Sequence, residues 1–216
     1  HADLEYGAVG AAARRAVPAL ESIAPLIGHH PIRTRGTFCG SIAHADPSAE
    51  WCLLALLLDA QIVARSRDAS REIPAAQFFQ GFLTTDLRED EIVTEVRLPS
   101  TLQAVTVIEI ARRHGDFPIV SAAAAVTVDD GVCTDVRVGL GGISDVPVRL
   151  PPIEDDLIGK PPRPELIARS AAVAGELVQP ISDTHGTAAY RRRLAAVLTR
   201  RALTEVATMA AGEPRS

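Results

Sequence analysis

Residues 34–51 read TRGTFCGSIAHADPSAEW, and the interpretation of this stretch decides the fold. Glycines and hydroxyl residues crowd together ahead of His44, Asp46 and Glu50, a composition that cannot build a core. A backbone running through Thr37, Phe38, Cys39, Gly40 and Ser41 exposes several N–H groups and hydroxyls over a short arc. Such donors match phosphate oxygens, and glycine lets the main chain come close. Asp46 and Glu50 repel a phosphate at close range but suit ribose or ribityl hydroxyls, or a ring N–H, as acceptors. A donor arc followed by carboxylates implies a nucleotide-like ligand. The same residues also read as turn glycines, with Asp46-Pro47 capping a helix that begins near Glu50. Taken by itself the stretch leaves both readings open.

Upstream, AVGAAARRAVPALESIAPLI (8–27) has apolar positions at helical spacing, interrupted by Pro18 and Pro25, and predicts two short helices or a kinked one. The Gly-His-His-Pro run then breaks the helix, and His30 before Pro31 is expected to be extended. Downstream, AEWCLLALLLDA predicts a buried helix carrying Glu50 in its first turn. QIVARS and EIVTEVRLP (91–99) read as strands, with SRDAS as a turn. STLQA is mostly polar and follows Pro99, which puts a domain boundary near residue 100.

Beyond it, AVTVIEIARR, IVSAAAAVTV and VCTDVRVGL predict a three-stranded antiparallel meander, its last two strands joined at Asp129-Asp130-Gly131. Two helices follow. The first has Leu166, Ile167, Val173, Ala174 and Leu177 on one face, with Ser170 small enough for a close contact. The second carries Tyr190, Leu194, Val197, Leu198 and Val206 on a stripe edged by arginines. The order β-β-β-α-α argues for an α+β fold, not a parallel Rossmann-like sheet. The tail 211–216 is expected to be disordered.

Composition narrows the function. With 216 residues, 47% hydrophobic, the chain can bury a substantial aliphatic core. A net charge of −5 argues against nucleic-acid binding. The three cysteines, Cys39, Cys52 and Cys133, are too scattered for a disulfide framework or zinc site. The absence of CxxC argues against an iron–sulfur cluster held by this chain. Reduced thiols suggest the cytoplasm, and no apolar run approaches the ~20 residues of a membrane span. GLGGIS (139–144) follows a strand, but SDVPVRLPP cannot open a helix at once, so the Rossmann context fails. Nothing completes a metal site or triad around His44 and Asp46. The start, HADLEYGAVG, reads as if it lay inside a longer gene product.

GTFCGSIAHADPSAE resembles the second flavin-binding motif, T-I-G-G-S/N-x-A-x-x-D-P, of the medium FAD subunit of molybdenum hydroxylases. This is the family of carbon monoxide dehydrogenase medium chains and the xanthine dehydrogenase flavin domain. IRTRG before it, ARRHGDFPIVSAAAAV and AAYRRRLAAVLTRRAL agree in order and spacing with further family motifs. The resemblance implies the C-terminal part of a vanillyl-alcohol-oxidase-type FAD-binding domain (1–100), then a flavoprotein C-terminal domain (101–210). It implies that Thr37, Phe38, Cys39, Gly40 and Ser41 lie along the FAD pyrophosphate and ribityl chain. Asp46 holds the motif's aspartate, Glu50 an acidic position that reaches the cofactor, Val93 an apolar position beside it, and Asp116 a polar contact near the flavin.

The family divides its chemistry among subunits. A large subunit holds the molybdenum cofactor, a small one carries two [2Fe-2S] clusters, and the FAD subunit passes electrons to an acceptor. Two departures stand out. Position 39 is Cys where the family has Gly, which costs roughly 1 kcal/mol if φ must be positive. The family's first flavin motif, A-G-G-x-S-L, and its N-terminal subdomain are missing here, so this chain alone is expected to hold FAD weakly or not at all. A flavin-free scaffold or interaction subunit of the same fold is the alternative.

Overall fold

The computed structural model describes residues 1–5, 7–8, 10–99, 102 and 104–212. The chain opens with short helices α1 (Ala2–Glu5), α2 (Ala11–Ala16) and α3 (Ala19–Ile23), then a 3-10 turn over Ala24–Leu26. The two prolines punctuate this region: Pro18 precedes α3, and Pro25 sits in the first turn of the 3-10 segment. Next come α4 (His30–Arg33), α5 (Phe38–His44) and α6 (Glu50–Leu57). His29, not His30, is the extended residue (φ −92°, ψ 160°); His30 enters the helix with Pro31 in its first turn, where the missing N–H is no loss. Every residue of α6 is buried, which explains its unbroken apolar run.

Strands β1 (Gln61–Arg65), β2 (Ser70–Pro74) and, after α7 (Ala75–Phe78), β3 (Phe79–Gly81) and β4 (Thr84–Thr85) lead to β5 (Ile92–Arg97). The first sheet has the order β2-β1-β5, all antiparallel. The second half opens with β6 (Ala104–Ile110), β7 (Val120–Asp129) and β8 (Val132–Gly141), as expected. A short β9 (Val148–Arg149) makes the sheet four-stranded. Asp130 and Gly131 both have positive φ (47° and 78°) in the β7–β8 turn, as a two-residue hairpin needs.

This larger sheet is covered on both faces. Val105, Val107, Ala123 and Ala125 join the first core with α3 and α6, while Ala104, Ala122, Ala124, Val126, Val136, Val138 and Leu140 join the second. β7 therefore alternates between two buried faces. Its alanines allow close approach by helices on either side. Gly139 serves the same end: a Cβ there would lie 3.0 Å from Leu53 Cδ1.

Three helices complete the chain: α8 (Pro151–Leu157), α9 (Pro164–Ala172) and α10 (Ala188–Ala210). α8 is not among the helices expected from the sequence; it opens on Pro151-Pro152, and prolines are tolerated in a first helical turn. Its Glu154 is buried and accepts from the Val138 amide (2.8 Å) and Arg149 Nε (2.7 Å). α9 is shorter than its apolar pattern. It tightens into a 3-10 turn at Val173–Gly175, which leaves Val173 and Leu177 exposed. The turn presses on α10, and a Cβ at Gly175 would come 2.5 Å from the Arg192 carbonyl. Ser170 is buried and donates to Asp156 (2.6 Å) and the Leu166 carbonyl.

The buried stripe of α10 differs from the expected one: Arg191, Ala195, Leu198, Thr199, Ala202, Leu203 and Val206 point inward, and Val197 is exposed. Arg191 is thus part of the packed face. It donates to the carbonyls of Ile119 and Gly142 (2.8 Å for the latter) and pairs with Asp183. The expected boundary near residue 100 falls largely on Ser100, Thr101 and Gln103, and the tail 213–216 also lies outside the described residues.

Candidate functional site

The 37–41 arc is the start of a helix. Thr37 is extended (φ −120°, ψ 153°), and its Oγ1 accepts the Gly40 amide at 2.9 Å. This is a side-chain N-cap. A Cβ at Gly40 would lie 2.7 Å from Thr37 Oγ1, so glycine keeps the cap tight. The cap satisfies one amide; the Phe38 and Cys39 amides have no intrahelical acceptor. Thr37 and Gly40 are exposed. Cys39 is helical and is not among the residues with positive φ, so the strain considered for it does not arise. Burial pushes its thiol pKa up, and the nearby Glu95 carboxylate adds to the rise. Ser41 lies in the same turn, with its carbonyl 3.6 Å from Cys52 Sγ. The Phe38 ring packs on Trp51, with centroids 4.8 Å apart; its side chain anchors the turn to α6.

α5 lies against β5, which carries Val93. That residue is half-buried, packs against the first core and is paired with Ala64 on β1. The fold therefore brings the Thr37–Ser41 turn and Val93 onto neighbouring elements. Asp116 stands apart from them in sequence and is exposed, its amide donating to the Arg113 carbonyl at 3.1 Å. Its turn rests on the Gly28–His29 loop. Gly115 there has φ 85°, and a Cβ would meet His29 Nδ1 at 2.7 Å and the Gly28 carbonyl at 2.9 Å.

Ala45 ends α5 in the left-handed region (φ 53°), turning the chain into Asp46-Pro47-Ser48. Asp46 Oδ1 accepts the Ser48 amide at 2.8 Å, and the Asp46 carbonyl accepts the Ala49 amide. Asp46 therefore closes this turn and does not cap α6 as expected: the helix N-cap is Ala49, with no side-chain cap bond. Glu50 is only 5% exposed. Burial pushes its carboxyl up to about 7 against the stabilising pull of its own amide, and Asp46 adds to the rise.

Two further polar residues with buried side-chain atoms, Glu109 and Ser121, escaped the sequence reading. Glu109 on β6 is pushed up to about 8 by burial first and by the Glu50 charge second. Ser121 on β7 is directly opposite Glu109 in the strand register. Strand alternation was the available signal: Glu109 shares a face with Val105 and Val107, both core residues.

The Thr37–Ser41 turn offers exposed hydroxyl and amide donors, with no carboxylate bonded to them among the described residues. This donor set fits the diphosphate of a dinucleotide. Among the described residues no group of three or more His, Cys, Asp or Glu is placed to hold a metal ion, and no helix is long and apolar enough to cross a membrane. A groove of about 830 Å³ between α9, α10 and β6, lined by Ile108, Glu165, Arg200 and Met209 among others, contains none of the expected cofactor residues.

Residues 2–101 match the family model for the FAD binding domain in molybdopterin dehydrogenase, and residues 106–206 that for the CO dehydrogenase flavoprotein C-terminal domain. The chain is 33% identical over 192 residues to the glyceraldehyde dehydrogenase medium chain of Sulfolobus acidocaldarius, covering 88% of this chain and 68% of that one. It is 35% identical to the nicotine 6-hydroxylase medium subunit of Paenarthrobacter nicotinovorans, covering 88% and 67%. Its structure resembles that of quinoline 2-oxidoreductase from Pseudomonas putida 86, with TM-score 0.90 and 32% identity over 97% of this chain and 73% of the other. Carbon monoxide dehydrogenase from Hydrogenophaga pseudoflava gives TM-score 0.89 at 27% identity, over 96% and 72%. With both halves matched in order and the fold shared along nearly its whole length, the chain belongs to the FAD-binding medium subunits of the molybdenum hydroxylases.

Proposed function

We propose that the chain is an electron-transfer subunit that binds FAD along Thr37–Ser41 and passes electrons from the [2Fe-2S] clusters of a small partner subunit to an external acceptor. A large partner subunit would hold the molybdenum cofactor, and the complex would work in the cytoplasm, where Cys39, Cys52 and Cys133 stay free thiols. The observation that carries this reading is the exposed, Thr37-capped turn within a chain of this family.

When bound, the flavin links one-electron donors to two-electron acceptors. The chain's own residues supply position. The Phe38 and Cys39 amides and the Thr37 hydroxyl would meet the diphosphate, and Ser41 would extend that donor set. Phe38 holds the turn through its ring contact with Trp51. Val93 would exclude water beside the cofactor from β5, Asp46 and Glu50 would accept from cofactor hydroxyls, and Asp116 would contact its outer edge. No acid–base pair is required for electron transfer, and none is assigned.

The test is anaerobic mixing of the FAD-loaded protein with its reduced iron–sulfur partner. Bleaching of the visible flavin band at the rate the clusters reoxidise is the expected result. A protein that assembles with the partners yet takes up no FAD would establish the scaffold role instead.

A further inference from the structure

The last carbonyls of a helix lack donors within it, and at the buried end of α6 two arginines of the larger sheet supply them. Arg149 Nη1 on β9 donates to the Leu57 carbonyl at 3.2 Å and lies 3.5 Å from that of Leu56. Arg137 Nη1 on β8 reaches the Leu57 carbonyl at 3.4 Å. Positive charge is also favoured at a helix C-terminus. Asp59, just past the helix, sits between the two guanidiniums, 2.8 Å from Arg137 and 3.3 Å from Arg149. It is exposed, so these ion pairs hold the arginines side by side more than they add stability. Arg149 is aimed from behind by a two-pronged bond to the buried Glu154 (2.7 and 2.9 Å), which also accepts the Val138 amide.

The opposite end of α6 carries the contacts that hold the candidate cofactor turn. Trp51 packs on Phe38, and Cys52 Sγ lies 3.6 Å from the Ser41 carbonyl. The helix between is a rod of about 12 Å, so a shift at Leu57 moves Trp51 and Cys52 with it. Between the two ends the sheet meets α6 with small residues, Ala123, Ala125, Gly139 and Gly141. Apolar packing of this kind is not directional. Directional bonds stand at the two ends, in the arginine clamp and in the Gly142 amide to the Pro47 carbonyl (2.9 Å).

We propose that Arg149, assisted by Arg137, is a positioning residue for the Thr37–Ser41 turn: it fixes the end of α6 on the larger sheet, and α6 in turn sets where that turn presents its amides to the diphosphate of FAD. The inference rests on the reading that FAD lies along this turn. The half of the chain that supplies few cofactor contacts would thereby govern how well the other half binds.

The test uses Trp51 as a built-in reporter, since it is the single tryptophan of the chain and is fully buried. Its emission is recorded in the ligand-free chain, and FAD affinity is taken from a backbone-amide NMR titration, for wild type, Arg149→Gln, Arg137→Gln and Ser170→Ala. Arg149→Gln should move the emission to longer wavelength and weaken FAD binding about tenfold, the equivalent of one lost hydrogen bond to a charged group. Arg137→Gln should do both to a smaller extent. Ser170→Ala breaks a buried contact remote from α6; it should lower the unfolding midpoint and leave emission and affinity alone. An Arg149→Gln protein that is merely less stable, with wild-type emission and affinity, would overturn the proposal. So would Ser170→Ala shifting both readouts as far as Arg149→Gln, since general loosening predicts that. Should Arg149→Gln fail to fold, Arg137→Gln decides by the same two measures. Wild-type amides at positions 38–41 that ignore FAD would instead refute the cofactor reading, and the emission of the arginine variants, which needs no FAD, would still show whether the clamp sets the turn.

Discussion

The Pro47 carbonyl accepts the Gly142 amide at 2.9 Å, tying the turn before Glu50 to the end of β8. This hydrogen bond joins the half of the chain that carries all the candidate cofactor residues but Asp116 to the half that carries the larger sheet. The same junction has no room for a side chain: positions 141 and 142 would set a Cβ 3.1 Å from the carbonyls of Pro47 and Ile119, respectively.

Gly141→Ala should therefore destabilise the protein by about 1–3 kcal/mol, the usual range for overpacking a tight core. Denaturant unfolding of the two proteins measures it. An unchanged midpoint would show that the seam can open without cost.

Arg191→Met should destabilise by about 3–5 kcal/mol. It strands the carbonyls of Ile119 and Gly142 and leaves Asp183 without its partner. Thermal unfolding at neutral pH should show the loss, and Arg191→Lys should restore only part of it because a single ammonium cannot span all three acceptors.

Stability should have a pH optimum. Glu50 and Glu109 have folded values near 7 and 8, above their ordinary range. Their contribution is full below about pH 4 and is lost as pH rises through 7 to 8. Asp183 behaves oppositely: Arg191 holds it down to about 2, so its contribution is present above the ordinary aspartate range and lost as pH falls through about 2. Melting temperature should thus peak near mildly acidic pH. Glu109→Gln should raise stability at pH 8 by roughly 1–2 kcal/mol after solvent screening, with little effect at pH 5. A melting curve identical to wild type at both pH values would contradict this.

Cys39→Gly should lower stability by about 1 kcal/mol, since glycine is a poor helix former and Cys39 is helical. FAD retention should be kept, because the backbone donors are unchanged. A large loss of flavin would show that the Cys39 side chain itself holds the cofactor. Thr37→Ala should cost about 1 kcal/mol through the lost cap and weaken FAD binding as well, which equilibrium dialysis can separate from stability.

Much of this was legible in the residues. The continuous apolar run of α6 and the alternation and turn chemistry of β6 to β8 follow from local pattern alone. Elements that depend on distant neighbours were not legible. α9 stops early because Gly175 must approach Arg192. α10 turns Arg191 inward because carbonyls at Ile119 and Gly142, remote in sequence, accept its protons. Within the candidate site, the Thr37 cap could have been foreseen from a hydroxyl residue ahead of a short helix. The docking of the Asp46–Ala49 turn on the end of β8 could not, since Pro47 and Gly142 are remote in sequence.

The most direct test of FAD binding at Thr37–Ser41 is a backbone-amide NMR titration of the chain with FAD, which detects weak as well as tight binding. The predicted result is saturable shifts concentrated on Phe38, Cys39, Gly40 and Ser41, with a second set around Val93. Shifts that saturate elsewhere and leave those four amides unmoved would contradict it.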